Sequence, residues 1–299
     1  MSINKRARSA NLSLLATICA LVLPTMLEQC MQTAVQYIDT AMVGALGTAA
    51  TAAVGSTGTI NWLVNSVVSA LSIGFLAFIA KALGAREDDT ARRAAGQAVL
   101  AVLVCGSLLT AVTLSCSRMI PVWMQVDQPI QPLAAAYFFI LYLPMLPRTA
   151  SIIFGTVLRA AGDSKTPMKI GVLVNLINVI LNFLFIYETR TVLLFSLPIT
   201  LPGLGMGVLG AAIASAIAFT VGGIFITVML FRHPLISPRG QSIRPNMTIL
   251  RPCLRVAVPN MLQRAGTSFG YVVSAGMINS LGEVATAAHT VAHRPTSSL

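Results

Sequence analysis

The sequence predicts an all-α membrane protein: a polytopic helical bundle with a six-helix N-lobe, followed by the start of a second lobe that repeats the first in parallel. Three observations predict it. The chain of 299 residues is 56% hydrophobic and only 10% charged, with a mean hydropathy of +0.80, whereas a soluble domain carries about 25% charged residues. Apolar runs of bilayer-spanning length, near 20 residues, recur along it. Its opening segment also returns, altered, near the C-terminus. Aromatics make up 6%, and small and aliphatic residues dominate. That suits close helix packing in lipid better than the alternating pattern of an outer-membrane barrel.

Spanning segments are expected at 14–42, 51–80, 94–117, 129–157, 168–187, 208–231 and 256–280, with an eighth starting near Val284 and failing at Arg294. Basic residues orient them. With the N-terminus inside, fifteen Lys and Arg fall in inside segments, and only Arg118 and Arg190 fall outside. This is a strong positive-inside asymmetry. It accounts for the net charge of +11 without nucleic acid. Residues 1–11 and the apolar run after them resemble a signal peptide, but the run is long and lacks a small-residue cleavage site, so a retained first helix is expected.

The domain reading is an N-terminal six-helix lobe over 1–231, a basic cytosolic linker over 232–255, and the start of a C-terminal lobe over 256–299. Residues 188–207 are expected as a long outside loop, either a re-entrant hairpin or a packed loop. The linker contains Pro and is open to an interfacial helix.

The repeat appears on sliding the chain by 235 residues. Pro24, Met26 and Leu27 fall on Pro259, Met261 and Leu262. Leu46-Gly47 falls on Leu281-Gly282, and residues 50–53 fall on 285–288, both reading A-T-A-A. Under the charge assignment both copies run from inside to outside, so the repeat axis lies along the membrane normal, as in transporters built from two bundles with the site between them. A full second copy would need far more chain than follows the linker. A truncated product or fragment is therefore expected.

Polar residues inside the spans mark the candidate site. Thr25, Glu28, Gln32, Gln36 and Asp39 fall within roughly 80° of arc at 100° per residue, on one face of the first helix. A carboxylate near mid-bilayer costs about 3 kcal/mol or more, so a polar cavity is the default reading. A second line is Asn61, Asn65, Ser69 and Ser72, and a third is Asn175, Asn178 and Asn182. Together they suggest a central wet cavity; singly, each reads as interhelical hydrogen bonding. Asp39 is either an ion-coupling carboxylate or a cap at the end of its helix. Glu28 is a second titrating group, or an acid paired with Lys or Arg. Gln32, Gln36 and Tyr37, with Asn61, Asn65 and Glu28, are candidates for the substrate path. Arg148 is expected to pair with Asp39 or Glu28, or to snorkel. Pro24 is a hinge or a static kink.

Several chemistries find no support. The five cysteines form no C-x-x-C pair and read as packing residues. His289 and His293 are spaced i, i+4 without a third ligand, so no metal site is expected. There is no Walker A motif, no Ser/His/Asp set and no H-E-x-x-H, hence no expectation of an enzyme or an ATP-driven pump.

Several motifs resemble the multidrug and toxic compound extrusion (MATE) family. They are P-x-M-L with D-T-A-M-V-G-x-L-G across 24–47, A-L-G-A-R-E-D-D at 82–89, L-R-A-A-G-D-S-K-T-P-M at 158–168, N-L-I-N-V-I-L-N at 175–182, and G-L-G-M-G-V-L-G-A-A-I-A-S at 203–215. The resemblance covers essentially the whole chain. It implies a twelve-helix, two-lobed antiporter that expels cationic or amphipathic drugs in exchange for protons or sodium ions, with no other cofactor. It also implies that Asp39 is the coupling acid and that Asn178 helps complete its site. Asn182 stands where some members carry an acid; it is counted with Asp39 and Asn178 as an ion-coupling residue, and the ion is left open. No C-lobe acid is visible at Gln263-Arg264. The expected setting is the bacterial inner membrane, multi-pass, with a cytoplasmic N-terminus. The expected partners are small-molecule drugs or toxins and the lipid bilayer, with no nucleic acid and a monomeric state. Two alternatives are a flippase for a lipid-linked precursor, disfavoured because Arg148 is the one clear intramembrane cation of the first lobe, and an inactive fragment. A seven-helix receptor is disfavoured by the repeat.

Overall fold

The structure is a computed structural model and describes residues 2–124, 126–194 and 197–279. Nine helices and one hairpin follow in order among these residues: α1 Ser2–Gly44, α2 Thr48–Gly84, α3 Asp88–Cys116, α4 Ile120–Trp123, α5 Gln131–Tyr142, α6 Met145–Ala160, α7 Lys165–Ile186, β1 Glu188–Leu194, β2 Leu197–Leu204, α8 Gly207–Arg232 and α9 Met247–Asn279. Five helices among the described residues are long and apolar enough to cross a membrane, and the bent pair α5–α6 makes a sixth. Six spans therefore precede the basic linker, as the hydropathy pattern predicts. The chain is a multi-pass helical membrane protein.

Local chemistry sets the turns. The α1–α2 corner runs through Gly47 at φ 106°, a conformation only glycine adopts without strain. Its N–H donates to the Gly44 carbonyl at 3.1 Å. Asp88 and Asp89 occupy the first turn of α3, where carboxylates favour the positive end of the helix. Between α6 and α7 the Asp163 carboxylate accepts from the Thr166 N–H at 3.0 Å. This caps α7 and explains the A-A-G-D-S-K-T-P motif as a cap-and-turn device.

Three differences from the sequence reading carry physical reasons. The span expected at 129–157 is two helices meeting at 49°. Pro144 caps the second piece, and its missing N–H together with its ring clash ends the first. The segment expected as an outside loop is an antiparallel β-hairpin, with Glu188 opposite Leu204 and Val192 opposite Ile199. It is tied to the bundle where the Tyr187 hydroxyl donates to the Met42 carbonyl at 3.3 Å. In the linker, α9 already begins at Met247. The segment before it lies against α3: Gln97 is buried, donates to the Arg244 carbonyl at 2.8 Å and accepts from the Asn246 N–H at 3.0 Å. The core joins Phe75 and Ile79 of α2, Phe138 and Tyr142 of α5, and Met145 and Ile153 of α6. Glycines let helices cross closely. A Cβ on Gly74 would collide with the Cys253 carbonyl of α9, and one on Gly223 of α8 would collide with the Pro147 backbone.

Pro24 and Pro259, which the repeat superposes, both lie inside helices, α1 and α9. The later half of the second copy, with Val284, His289, His293 and Arg294, lies outside the described residues.

Candidate functional site

Asp39 sits one turn from the end of α1, where α1 packs on α7. The Asn182 amide of α7 donates to one of its oxygens at 2.7 Å. One turn earlier on the same helix, Asn178 presents its carboxamide to the same acid. The donor–acceptor pattern turns its nitrogen toward Asp39, 3.2 Å from each carboxylate oxygen, while its own oxygen accepts from the Ser215 hydroxyl of α8 at 3.0 Å. Asn178 and Asn182 are buried. The Asn182 carbonyl oxygen is buried without a hydrogen bond. Asp39 has no lysine or arginine partner among the described residues: their single ion pair lies elsewhere. A carboxylate is thus held by neutral amides in the lobe interior. Asp39 is not a helix cap.

The second cluster gathers around Arg148, at the start of α6. Its guanidinium donates to Asn61 Oδ1 at 2.6 Å and to Asn65 Oδ1 at 3.3 Å, both on α2. The Tyr142 hydroxyl adds a hydrogen bond to Asn61 at 3.2 Å. The cation lies 4.7 Å from the centre of the Phe219 ring and 5.6 Å from that of Tyr142, within cation–π range. Arg148 pairs with neither Asp39 nor Glu28, and it does not snorkel: it is 6% exposed. The expectation that Asn61 and Asn65 line an open path is modified in the same way, since both amides are engaged in holding this cation.

Glu28 finds a partner that spacing along its own helix could not reveal. Arg159, near the end of α6, donates to it at 3.0 Å. Gly171 of α7 leaves the room, since a Cβ there would approach Glu28 Oε1 to 3.3 Å. Glu28 is therefore an ion-pair member, the second of its two sequence readings. Gln32, Gln36 and Tyr37 are exposed. They stand on the open side of α1 and do not join Asp39, so the five-residue stripe is split: its two acids are half-buried, and the glutamines between them are exposed.

The structure adds Ser215, Arg159 and Tyr142 to the sites. Ser215 ends the small-residue run at 203–215, and Arg159 lies in a motif read only as a loop, so their types were visible and their roles were not. Tyr137, on α5, is buried within electrostatic reach of both Asp39 and Arg148.

Comparison with known proteins now decides the family. The MatE family model matches residues 24–184, more than half of the chain. The chain belongs to the MATE family. A probable multidrug resistance protein NorM of Thermotoga maritima is 28% identical over 271 residues, covering 91% of this chain and 56% of that protein. A probable multidrug resistance protein YpnP of Bacillus subtilis is 25% identical, covering 87% of this chain and 55% of its own. Among solved structures, the outward-facing conformation of a multidrug resistance MATE transporter of the MOP superfamily matches with a TM-score of 0.84 at 26% identity, covering 94% of this chain and 60% of that one. The chain thus spans somewhat more than half the length of these MATE relatives. The matched span contains Asp39, Arg148, Asn178 and Asn182, whereas Ser215 and Phe219, which complete the two clusters, follow it.

Proposed function

We propose that this MATE-family chain acts in secondary-active multidrug efflux, exchanging cationic or amphipathic drugs for protons or sodium ions. The observation that carries the reading is Asp39: a carboxylate inside a membrane bundle, facing amide donors and no cation. A site of that kind takes up a cation reversibly, because no described Lys or Arg already pairs with it. It is a transport site, and the chain is read as a transporter, not an enzyme.

The chemistry follows from the amides. While Asp39 is ionised, Asn182 and Asn178 both donate to it. Once Asp39 carries a proton its O–H needs an acceptor, and the Asn178 carbonyl supplies one if the carboxamide turns over. A sodium ion would instead draw on oxygens, which hard cations prefer; the Asn182 carbonyl is available, with Ser215 and Asn178 beside it. Either ion changes the bonds that join α1 to α7 and α8. Coupling requires that the ion bind two arrangements of the lobe with different affinity, and these three helices are the elements it would bias. The membrane is read as the bacterial inner membrane, with the basic end of the bundle and the N-terminus in the cytoplasm and the monomer as the working unit.

The test is drug efflux driven by an imposed ion gradient in everted membrane vesicles carrying the protein. Asp39→Asn keeps the shape and removes the charge. Efflux should fall to the background of vesicles without the protein. Undiminished gradient-driven efflux by that variant would sink the assignment.

A further inference from the structure

Arg148 is a buried cation with no carboxylate paired to it among the described residues. Two amide oxygens and two rings surround it, and its Nη1 is buried with no hydrogen-bond partner. Burying an ion without a counter-ion is costly, and a bundle that only needed to pack would be more stable with an apolar side chain there. The local backbone adds to the anomaly. The span breaks at Leu143–Pro144, bending by 49°, so α6 begins inside the bundle with Arg148 in its first turn. A helix start carries partial positive charge and free N–H groups. Two independent features, a guanidinium whose Nη1 lacks a partner and an interior helix N-terminus, therefore attract negative charge at one point. Broken spans build ligand sites in membrane transporters by this means.

Depth relates this point to Asp39. Glu28 and Arg159 are in contact at the basic end. From that contact Asp39 lies eleven residues along α1 and Arg148 eleven residues back along α6. At 1.5 Å per residue both stand about 16 Å from the pair, near the middle of a hydrocarbon layer about 30 Å thick. A carboxyl group and a guanidinium thus share one level of the same lobe, each without a paired opposite charge among the described residues, with Tyr137 in reach of both.

The geometry points to Arg148 and the N-terminus of α6 as an anion-recognition point for a carboxylate, which, at the same depth in the bundle as Asp39, selects zwitterionic over purely cationic ligands. The proposal deepens the transport reading and rests on it for the role of Asp39. A carboxylate matches the site better than a phosphate dianion, because one guanidinium neutralises one charge and only its Nη1 is left to donate.

The experiment uses three matched probes in lipid nanodiscs carrying the protein, with empty nanodiscs subtracted: 4-(aminomethyl)benzoate, a zwitterion; its methyl ester, a cation of the same skeleton; and benzoate. The native protein should bind the zwitterion about tenfold or more tightly than the ester, the scale of a charged hydrogen bond. Arg148→Gln should abolish that preference, weakening both carboxylates and leaving the ester unchanged or tighter, with Arg148→Lys intermediate. Equal affinities for zwitterion and ester in the native protein overturn the proposal. So does a uniform loss of all three probes in Arg148→Gln. If that variant does not fold, the native ranking decides alone, since the two probes differ only in the carboxylate. Persistent efflux in Asp39→Asn would overturn the transport reading while leaving the Arg148 selectivity intact, so the two failures are distinguishable.

Discussion

Glu28 of α1 and Arg159 of α6 close an ion pair at 3.0 Å, with side chains 13% and 27% exposed respectively. The pair joins two helices that are far apart in sequence and fixes their relative height. Cutting it should cost about 2 kcal/mol, between the fraction of a kcal/mol of exposed pairs and the 3–5 kcal/mol of fully buried ones. Glu28→Gln and Arg159→Gln should each lower the melting temperature in detergent. The double variant should cost less than the sum of the two, because it leaves no orphaned charge. Strict additivity would show that the contact contributes nothing.

At the Asp39 site, Asn182→Asp places a second carboxylate where an amide now donates at 2.7 Å. Two carboxylates at that distance cannot both stay ionised without a cation between them. The variant should therefore gain stabilisation by sodium chloride relative to choline chloride, or by acid, read as a larger shift in melting temperature than the native protein shows. A response equal to the native one would mean that the two side chains do not share the site.

Gly223→Ala probes how closely α8 crosses α6. The added Cβ would meet Pro147, whose backbone is rigid and cannot rotate away. Overpacking of this kind costs about 1–3 kcal/mol. The same change at Gly55, with nothing near its Cβ, serves as a control and should be neutral or slightly stabilising. Thermal unfolding of the two variants side by side checks both.

His233 follows the end of α8, outside the spans. Burial lowers its pKa below the ordinary 6.5, and the charge of Asp163 opposes that shift. Its Nδ1 accepts from the Leu235 N–H at 3.3 Å, which requires that nitrogen to be unprotonated. The folded state thus favours the neutral ring. Its stabilising contribution is complete above the unfolded pKa and is lost as pH falls through the lower folded value. Hydrogen exchange of residues 233–246, corrected for intrinsic rates, should be faster at about pH 5.5 than at about pH 7.5. His233→Asn should flatten the difference.

Much of this was legible beforehand. Hydropathy placed the six spans, and a buried acid in the first of them marked Asp39. The L-P-M-L-P-R string held the signal for the break at Leu143–Pro144, since a proline in mid-span interrupts a helix, but length alone made 129–157 read as one span. What the sequence could not supply was pairing. Periodicity tells which residues share a helix face, not which face meets which. Hence pairing with an acid and snorkelling are both open for Arg148, which Asn61 and Asn65 hold instead, and the sequence offers Glu28 a basic partner without naming Arg159. The hairpin escaped because an apolar, Pro- and Gly-containing segment beside a membrane fits several backbones equally well.

The contact of Gly74 with Cys253 and the grip of Gln97 on Arg244 and Asn246 carry a mechanical consequence. The basic linker looks like a tether between two bodies, but it is fastened along its length to α3, and the first turns of α9 are fastened to α2. A tether bound at both ends transmits motion and does not absorb it. Among the described residues, the stretch that composition marks at 232–255 is therefore not a free joint. Past Cys253, Ala257 still packs beside Gly74 of α2, and Pro259, two residues on, is where α9 gives up a backbone hydrogen bond.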